Sequence, residues 1–131
     1  MHAGPKAASV WRRRTAVEVL GSQQGLPREA RLLTGAEFRR VFEARRVHAN
    51  AWFRVHYAPS EQARLGMAVS RKVSSRAVVR NRIRRQIRES FRLTRSRLAA
   101  MDYVVLARPS AAELDRTRLR GALEQLWQRF I

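Results

Sequence analysis

The segment VVRNRIRRQIRES, residues 78–90, constrains the fold of this chain more than any other feature. Apolar residues recur every four positions from Val79 through Ile83 and Ile87 to Phe91, which predicts an α-helix spanning about residues 75–94. Arginines occupy most of the remaining circumference. The helix is therefore expected to pack its apolar stripe against the rest of the protein and to offer its charge to something outside the chain.

Positive charge is concentrated around this helix. The chain has a formal net charge of +18, and more than half of the excess lies within residues 61–100. Like charges three or four residues apart on a helix repel by roughly 0.2 to 0.5 kcal/mol per pair, yet the only acidic residue within 76–95 is Glu89. A solvated structural helix would intersperse glutamates, so the pattern favours nucleic-acid binding. A membrane surface is disfavoured, because the core of so small a domain claims the apolar face that would insert.

Composition indicates one folded domain. Hydrophobic residues make up 45% of the 131 residues and charged residues 29%, which is apolar enough to fold. Residues 1–30 lack sustained periodicity and predict a flexible N-terminal arm, followed by a single domain at 31–131. The chain has no cysteine, which excludes disulfides and cysteine-type zinc sites. No signal peptide or membrane span is recognisable, so a cytoplasmic location and no membrane contact are expected.

A first helix is predicted at about Gly35–Ala44. Thr34 and Glu37 have the spacing of a capping box, and Leu33 with Phe38 has that of a hydrophobic staple. Both signals mark the same helix start.

Alternating residues predict the strands. The segments NAWFRVHYAPS (50–60) and RLGMAVS (64–70) are expected to pair as a hairpin, and a short strand at about Arg46–Asn50 is expected to precede them. Tyr103–Ala107 predicts a strand buried on both faces. A last helix is expected at about Asp115–Phe130. The fold class is therefore α+β, a small, mainly antiparallel sheet of about four strands with three helices in the order αβββαβα.

Aromatic residues suggest which nucleic acid is bound. Trp52, Arg54 and His56 are every second residue of the predicted strand and therefore share one of its sides. Aromatic residues interleaved with arginine on a sheet suit unpaired bases. The alternative is that Trp52 is half-buried core and His56 is incidental. Phe38 and Phe42, one helical turn apart, are more typical of core residues than of a stacking surface.

A nuclease that acts without RNA is the least favoured function. His48 and His56 are the candidate acid and base, with Lys72 or an arginine to stabilise the transition state. The acidic residues are scattered over different elements, and no metal-binding or phosphate-loop motif is present.

The segment SRKVSSRAVVRNRIRRQIRESFR, Ser70–Arg92, closely resembles the signature of the bacterial ribonuclease P protein subunit, with Arg-Asn-Arg at its centre. The flanking segments RLLTGAEFRRVFEARR, RLGMAVSRK and MDYVVLARPSAAELD are similar to the same family in the same order, so the likeness covers Arg31–Ile131.

The resemblance implies a function that composition does not. In that family the protein joins one catalytic RNA, expected in 1:1 ratio, and the RNA removes the 5′ leader of precursor tRNA. Magnesium ions belong to the RNA subunit and substrate, so the resemblance implies no catalytic residue or metal site on the protein and no obligate protein partner. It also implies a left-handed strand–helix–strand crossover, like that of certain ribosomal proteins.

Site residues follow from the resemblance position by position. Contacts to the catalytic RNA are expected from the arginine helix and the turn before it, namely Arg71, Lys72, Arg80, Asn81, Arg82, Arg84, Arg85 and Arg88. The leader is expected in a cleft between the first helix and the sheet, lined by Phe38, Phe42, Trp52, Arg54 and His56. His56 stands where other members have tyrosine, and the turn Val73–Arg76 is one residue longer than in members with a Gly-Asn turn. The alternative is a ribosomal or other structural RNA-binding protein without processing activity.

Overall fold

Residues 26–131 are described by the structure, a computed structural model. The helices are α1 (Gly35–Glu43), α2 (Ala77–Thr94) and α3 (Arg116–Trp127), and the strands are β1 (Val47–Ala49), β2 (Phe53–Pro59), β3 (Arg64–Ala68) and β4 (Met101–Ala107). Single 3₁₀ turns lie at Arg28–Ala30, Arg95–Arg97, Pro109–Glu113 and Gln128–Phe130. The predicted α+β class and the order αβββαβα are confirmed.

The four strands form one mixed sheet in the order β1-β2-β4-β3. β1 pairs with β2 and β2 with β4 in antiparallel fashion, whereas β3 and β4 are parallel. The predicted hairpin of β2 and β3 is therefore wrong, because β4 lies between them. Tyr103, Val104 and Val105 of β4 are fully buried, and a strand that is apolar on both faces buries most surface in the middle of a sheet.

Helices cover both faces of this sheet. Alternate residues of β2 and β4, such as Val55 and Val105, pack with α2 and α3 in the larger core cluster. Ala58 and Val104 point to the other side and pack with Phe38 and α1. We call these the α2–α3 face and the α1 face. A surface on α1 and one on α2 therefore lie on opposite sides of the molecule.

The apolar stripe of α2 is buried as predicted. Ile83, Ile87 and Phe91 are fully buried on the α2–α3 face. Polar residues beside the stripe join α2 to α3: Ser90 Oγ accepts a 3.0 Å hydrogen bond from the Trp127 indole, which satisfies the buried N–H. Arg120 likewise donates to Gln86 Oε1 at 3.0 Å. The helix is therefore fixed on its inner side.

The predicted capping box at the start of α1 is confirmed. The Thr34 hydroxyl accepts from the Glu37 amide, and the Glu37 carboxylate accepts from the Thr34 amide. The ring of Phe38, only 2% exposed, rests over Gly66 of β3. The first turn of α1 and the glycine thus set how closely the helix approaches the sheet.

Four charged side chains tie α1 to the sheet. Asp102 of β4, fully buried, accepts two hydrogen bonds from Arg64 at 2.7 and 2.8 Å and another from Arg40 of α1. Arg64 also donates to Glu37 at 2.9 Å. Burial alone would raise the pKa of Glu37, but the amides of Leu33 and Thr34 together with Arg64 hold it below its usual value. The cluster of Arg40, Glu37, Arg64 and Asp102 is named the ionic network.

The folded domain begins before residue 31. Leu26 and Ala30 are buried in the larger core cluster, and the backbone bridges to β3 between Arg31 and Leu65. The predicted boundary at residue 30 therefore assigned two core residues to the arm. The rest of the predicted arm, residues 1–25, lies outside the described residues.

A pair of glycine substitutions tests the packing of α1. A Cβ at Gly66 would lie 2.6 Å from the Phe38 ring, whereas a Cβ at Gly121 meets nothing within 4 Å. We expect Gly66→Ala to lower the free energy of unfolding by about 1 to 3 kcal/mol through overpacking. Gly121→Ala should raise it by up to about 1 kcal/mol, because alanine favours the helix. Urea denaturation measures both, and equal stability of the two variants would contradict this packing.

Candidate nucleic-acid interface

The outer side of α2 carries exposed cations. Arg82 and Arg85 are exposed with Asn81 on the side of the helix away from the buried stripe, and Val78, 63% exposed, lies one turn before Arg82. We call this surface the arginine face. The ion pair of Arg92 with Glu89 at 2.7 Å lies further along the helix. No acidic residue precedes Glu89 in α2, so the positive charge of the arginine face is unrelieved along most of the helix.

Three of the predicted arginines lie on the flank of α2 rather than on its outer side. Arg80 and Arg88 are half-buried, and Arg84 is only 8% exposed. The Arg80 guanidinium donates to the backbone oxygen of Ser74 at 3.0 Å, and Arg84 donates to the Asn81 side chain. The contact of Arg84 with the catalytic RNA stays a prediction, but its side chain is largely buried on the flank and does not share the exposure of Arg82 and Arg85. Its four-residue spacing keeps it in a row with Arg80 beside the apolar stripe, where a long aliphatic stem covers hydrophobic surface.

The turn between β3 and α2 extends the cationic surface. Arg71 and Lys72 are both exposed there, and Ser70 fixes the turn by accepting hydrogen bonds from the Lys72 and Val73 amides. Arg76, the exposed N-cap residue of α2, adds a cation that the sequence analysis did not single out. Its signal was present in the charge excess of residues 61–100.

Side chains of α1, β1, β2 and β4 meet on the α1 face near the end of α1, and we call the surface they form the cleft. The Phe42 ring meets the His56 ring edge to face, with centroids 4.7 Å apart. Arg54 is exposed two residues before His56 on the same side of β2, and Val47 of β1 pairs directly with His56. Leu106 of β4 pairs with Arg54 and packs against the cluster beneath α1. These five residues define the cleft.

Two predicted cleft residues lie elsewhere. Phe38 is buried against Gly66 beneath the cleft, in agreement with its interpretation as core. Trp52 packs against the core of the α2–α3 face and lies beside Leu114, so its predicted place next to Arg54 and His56 is wrong. The strand begins only at Phe53: the Asn50 carboxamide accepts from the amides of Trp52 and Phe53 at 2.9 and 2.8 Å. This local turn precedes the alternation on which the prediction relied.

The two histidines lie on opposite faces of the sheet. His48 pairs with Val55, which points to the α2–α3 face, and contacts Phe130 there. Burial lowers the pKa of His56, and the neighbouring Arg54 lowers it further, so its imidazole is neutral at pH 7. Because the two imidazoles lie on opposite faces of the sheet, they are excluded as an acid–base pair. A neutral ring beside Phe42 and a cation suits base stacking and phosphate contact instead.

Fold and surfaces together define a class: a small basic α+β protein with a cationic helix surface on one side of its sheet and an aromatic, cationic surface on the other. The sequence model of the family described as Ribonuclease P matches residues 26–131. The chain belongs to the ribonuclease P protein family.

Curated relatives resemble most of the chain. The ribonuclease P protein component of Methylococcus capsulatus is 45% identical over 111 residues, which span 83% of this chain and 87% of the relative. That of Thioalkalivibrio sulfidiphilus is 42% identical over 108 residues, spanning 81% and 90%.

Solved structures of bacterial relatives have the same fold. The RNase P protein of Staphylococcus aureus superposes with a TM-score of 0.72 at 32% identity and covers 76% of this chain and 94% of that one. The RNase P protein of Thermotoga maritima, solved in complex with 1-(4-fluorophenyl)-2-thiourea, gives a TM-score of 0.66 at 28% identity, covering 72% and 94%.

Salt dependence of RNA binding tests the arginine face. Replacing Arg82 and Arg85 by alanine should reduce the slope of log K against log salt by roughly 1.5 to 2, because two phosphate contacts are lost. The free energy of unfolding should change by less than about 0.5 kcal/mol, since both side chains are exposed. Filter binding to a ribonuclease P RNA over a salt series gives the slope. The matched control replaces Arg116 and Arg129, exposed cations outside α2, and an equal loss in that control would contradict the assignment.

Proposed function

We propose that the chain is the protein subunit of a ribonuclease P ribonucleoprotein that matures the 5′ ends of tRNAs. Its arginine face binds the catalytic RNA while its cleft holds the 5′ leader of precursor tRNA. Membership of the family supports the role in tRNA processing. The observation that carries the division of labour is that the two surfaces lie on opposite faces of one sheet.

Opposite placement allows two RNA segments to bind at once. The arginine face belongs to α2, which packs on the α2–α3 face, whereas Phe42 and His56 lie on the α1 face. One continuous RNA strand would have to wrap around the domain to reach both. A protein that bridges a catalyst and its substrate needs this arrangement, because each partner then adds affinity for the other without competing for the same side chains.

The cleft has the chemistry of a site for an unpaired strand. The edge-to-face pair of Phe42 and His56 offers ring surface to bases, and exposed Arg54 on the same strand can meet a phosphate. Apolar Val47, 45% exposed, borders it.

Catalysis is assigned to the RNA subunit, with magnesium held by the RNA and the substrate. His48 and His56 lie on opposite faces of the sheet, which supports this assignment because the candidate acid and base cannot face the same substrate atom. Within residues 26–131 no group of three or more His, Cys, Asp or Glu side chains is placed to hold a metal ion. The part of this chain that the structure describes therefore supplies binding and positioning.

The expected assembly is one protein per catalytic RNA without an obligate protein partner. We expect it to act in the cytoplasm, since a cysteine-free chain needs no oxidising compartment. None of the helices in residues 26–131 combines the length and apolar character needed to cross a membrane.

Reconstitution tests the proposal. Precursor tRNA and magnesium are incubated at low salt with the protein alone, with a bacterial ribonuclease P RNA alone, and with both. We expect no cleavage by the protein alone and a higher kcat/KM for the mixture than for the RNA alone, because the protein adds leader contacts to the complex. Cleavage by the protein alone, or RNA binding without any gain in cleavage, would sink the proposal, the latter in favour of a structural RNA-binding protein.

A leader-length comparison isolates the cleft in the same assay. With a long leader, Phe42→Ala should reduce the increase in kcat/KM that the protein gives by about fivefold to a hundredfold, the range for one lost stacking contact. A precursor with a one-nucleotide leader is the matched substrate, and its cleavage should be unaffected. Equal losses on both substrates would contradict the assignment of the leader to the cleft.

A further inference from the structure

A groove on the α2–α3 face lies apart from both surfaces described above. It has a volume of about 560 Å³ and lies between the turn before β2 and the first part of α3. Its lining residues are Trp52, Leu114, Arg118, Gly121, Ala122 and Gln125. Resting on the proposed function, we propose that this groove holds one unpaired base of the catalytic RNA, stacked on Trp52.

The indole of Trp52 is left available by the fold. Within residues 26–131 its side chain makes no ring contact and no hydrogen bond, in contrast to Trp127, which is fully buried among Phe91 and Tyr103. Its backbone, however, is fixed: the amide donates to Asn50, and the carbonyl accepts from Arg108 at 2.9 Å. A partly buried indole on a fixed backbone loses little conformational freedom when a flat ring stacks on its open side.

The rest of the lining matches a nucleotide. Gln125 brings a carboxamide, which can donate to and accept from the edge of a base. Arg118 is the only charged residue of the six and none is acidic, so the groove favours an anionic partner. A second guanidinium lies at its rim, where Arg108 donates to the Asn50 carbonyl at 3.0 Å. Asp115 caps α3 and accepts from the Arg118 amide, which occupies that carboxylate.

The opening at Gly121 gives the groove its depth. A Cβ at this position would meet nothing within 4 Å, although glycine costs roughly 1 kcal/mol against alanine in a helix interior. Neither the packing nor the backbone of α3 requires glycine there. The glycine leaves this part of the groove wider than any other residue would, which is the space that a base would fill.

The catalytic RNA is favoured over the precursor tRNA by position. The groove shares its face of the sheet with α2, and α3 is bound directly to α2 through Arg120 and Trp127. The leader cleft lies on the opposite face. The groove residues lie on the side of α3 away from Arg120 and Trp127, so an RNA that covers the arginine face reaches the groove by passing over α3, without crossing the sheet.

Filling the groove tests the inference. Gly121→Leu places a side chain in the open space and should weaken binding to a ribonuclease P RNA about fivefold to a hundredfold, the range for one lost base stack. Trp52→Ala should weaken it by a similar factor. The matched control is Gly121→Ala, which makes the same helix change with little filling and should bind within twofold of the unmodified protein. Thermal unfolding should show both Gly121 variants at least as stable as the original chain.

Fluorescence identifies the stacking residue directly. In a Trp11→Phe background, which leaves Trp52 and buried Trp127, addition of the catalytic RNA should quench emission, and Gly121→Leu should remove most of that quenching. A parallel titration with precursor tRNA alone should give no change that depends on Gly121.

Each contrary outcome is distinct. Unchanged binding by Gly121→Leu, or an equal loss in Gly121→Ala, overturns the groove as a base site. A loss seen only with precursor tRNA overturns its assignment to the catalytic RNA. In either case the unmodified protein would still increase cleavage in the reconstitution assay, whereas failure of that assay concerns the proposed function itself.

Discussion

The position of α1 over the sheet, and with it the cleft, depends on the buried carboxylate of Asp102 on the central strand β4. Isolated, such a charge would be costly, and removal of one partner from a buried pair generally costs about 3 to 5 kcal/mol. Arg64 binds Asp102 through two parallel hydrogen bonds, and Arg40 reaches the same carboxylate from α1. Hydrogen bonding to Asp102 is the main reason that the pKa of Arg64 is raised. The ionic network thereby fixes α1 at one position over the sheet.

The position of α1 carries through to the cleft. Glu37 joins the ionic network to the capping box, so the start of the helix is bonded both to its own first turn and to β3. Phe38 then fills the space over Gly66, and Phe42, one turn later, reaches His56. Within α1 the buried ring of Phe38 positions the helix, and the half-buried ring of Phe42 contacts His56 in the cleft. On the other side of the protein, the apolar stripe of α2 is buried in the core, whereas the arginines on the outer side of the helix are exposed and available to a polyanion.

Sequence reasoning recovered what depends on local pattern. The stripe from Val79 to Phe91, the capping box at Thr34 and the order of elements all follow from periods of 3.6 and 2 and from cap chemistry. The sequence also predicted that Tyr103–Ala107 is buried on both faces, but it did not predict that β4 pairs between β2 and β3. Strand pairing depends on contacts between segments that are far apart in the chain, which local periodicity does not record.

The candidate sites divide in the same way. Exposed Arg82 and Arg85 could be predicted from their angle on α2, but Arg84 lies where its stem covers the helix flank. The position of Trp52 was predicted wrongly because the alternation of the strand begins only at Phe53, after the turn that Asn50 forms. The ionic network left no pattern in the sequence, since its four members are on three elements and meet only through the fold.

Crosslinking tests directly whether the two surfaces bind two different RNAs, since the chain has no native cysteine to compete with introduced ones. Val47→Cys in the cleft and Val78→Cys on the arginine face remove no cation, and each carries the same photocrosslinker in the complex with catalytic RNA and precursor tRNA. The two-surface account predicts that Val47→Cys captures the leader and that Val78→Cys captures the catalytic RNA. Capture of the same RNA by both positions, or the reverse assignment, would contradict it.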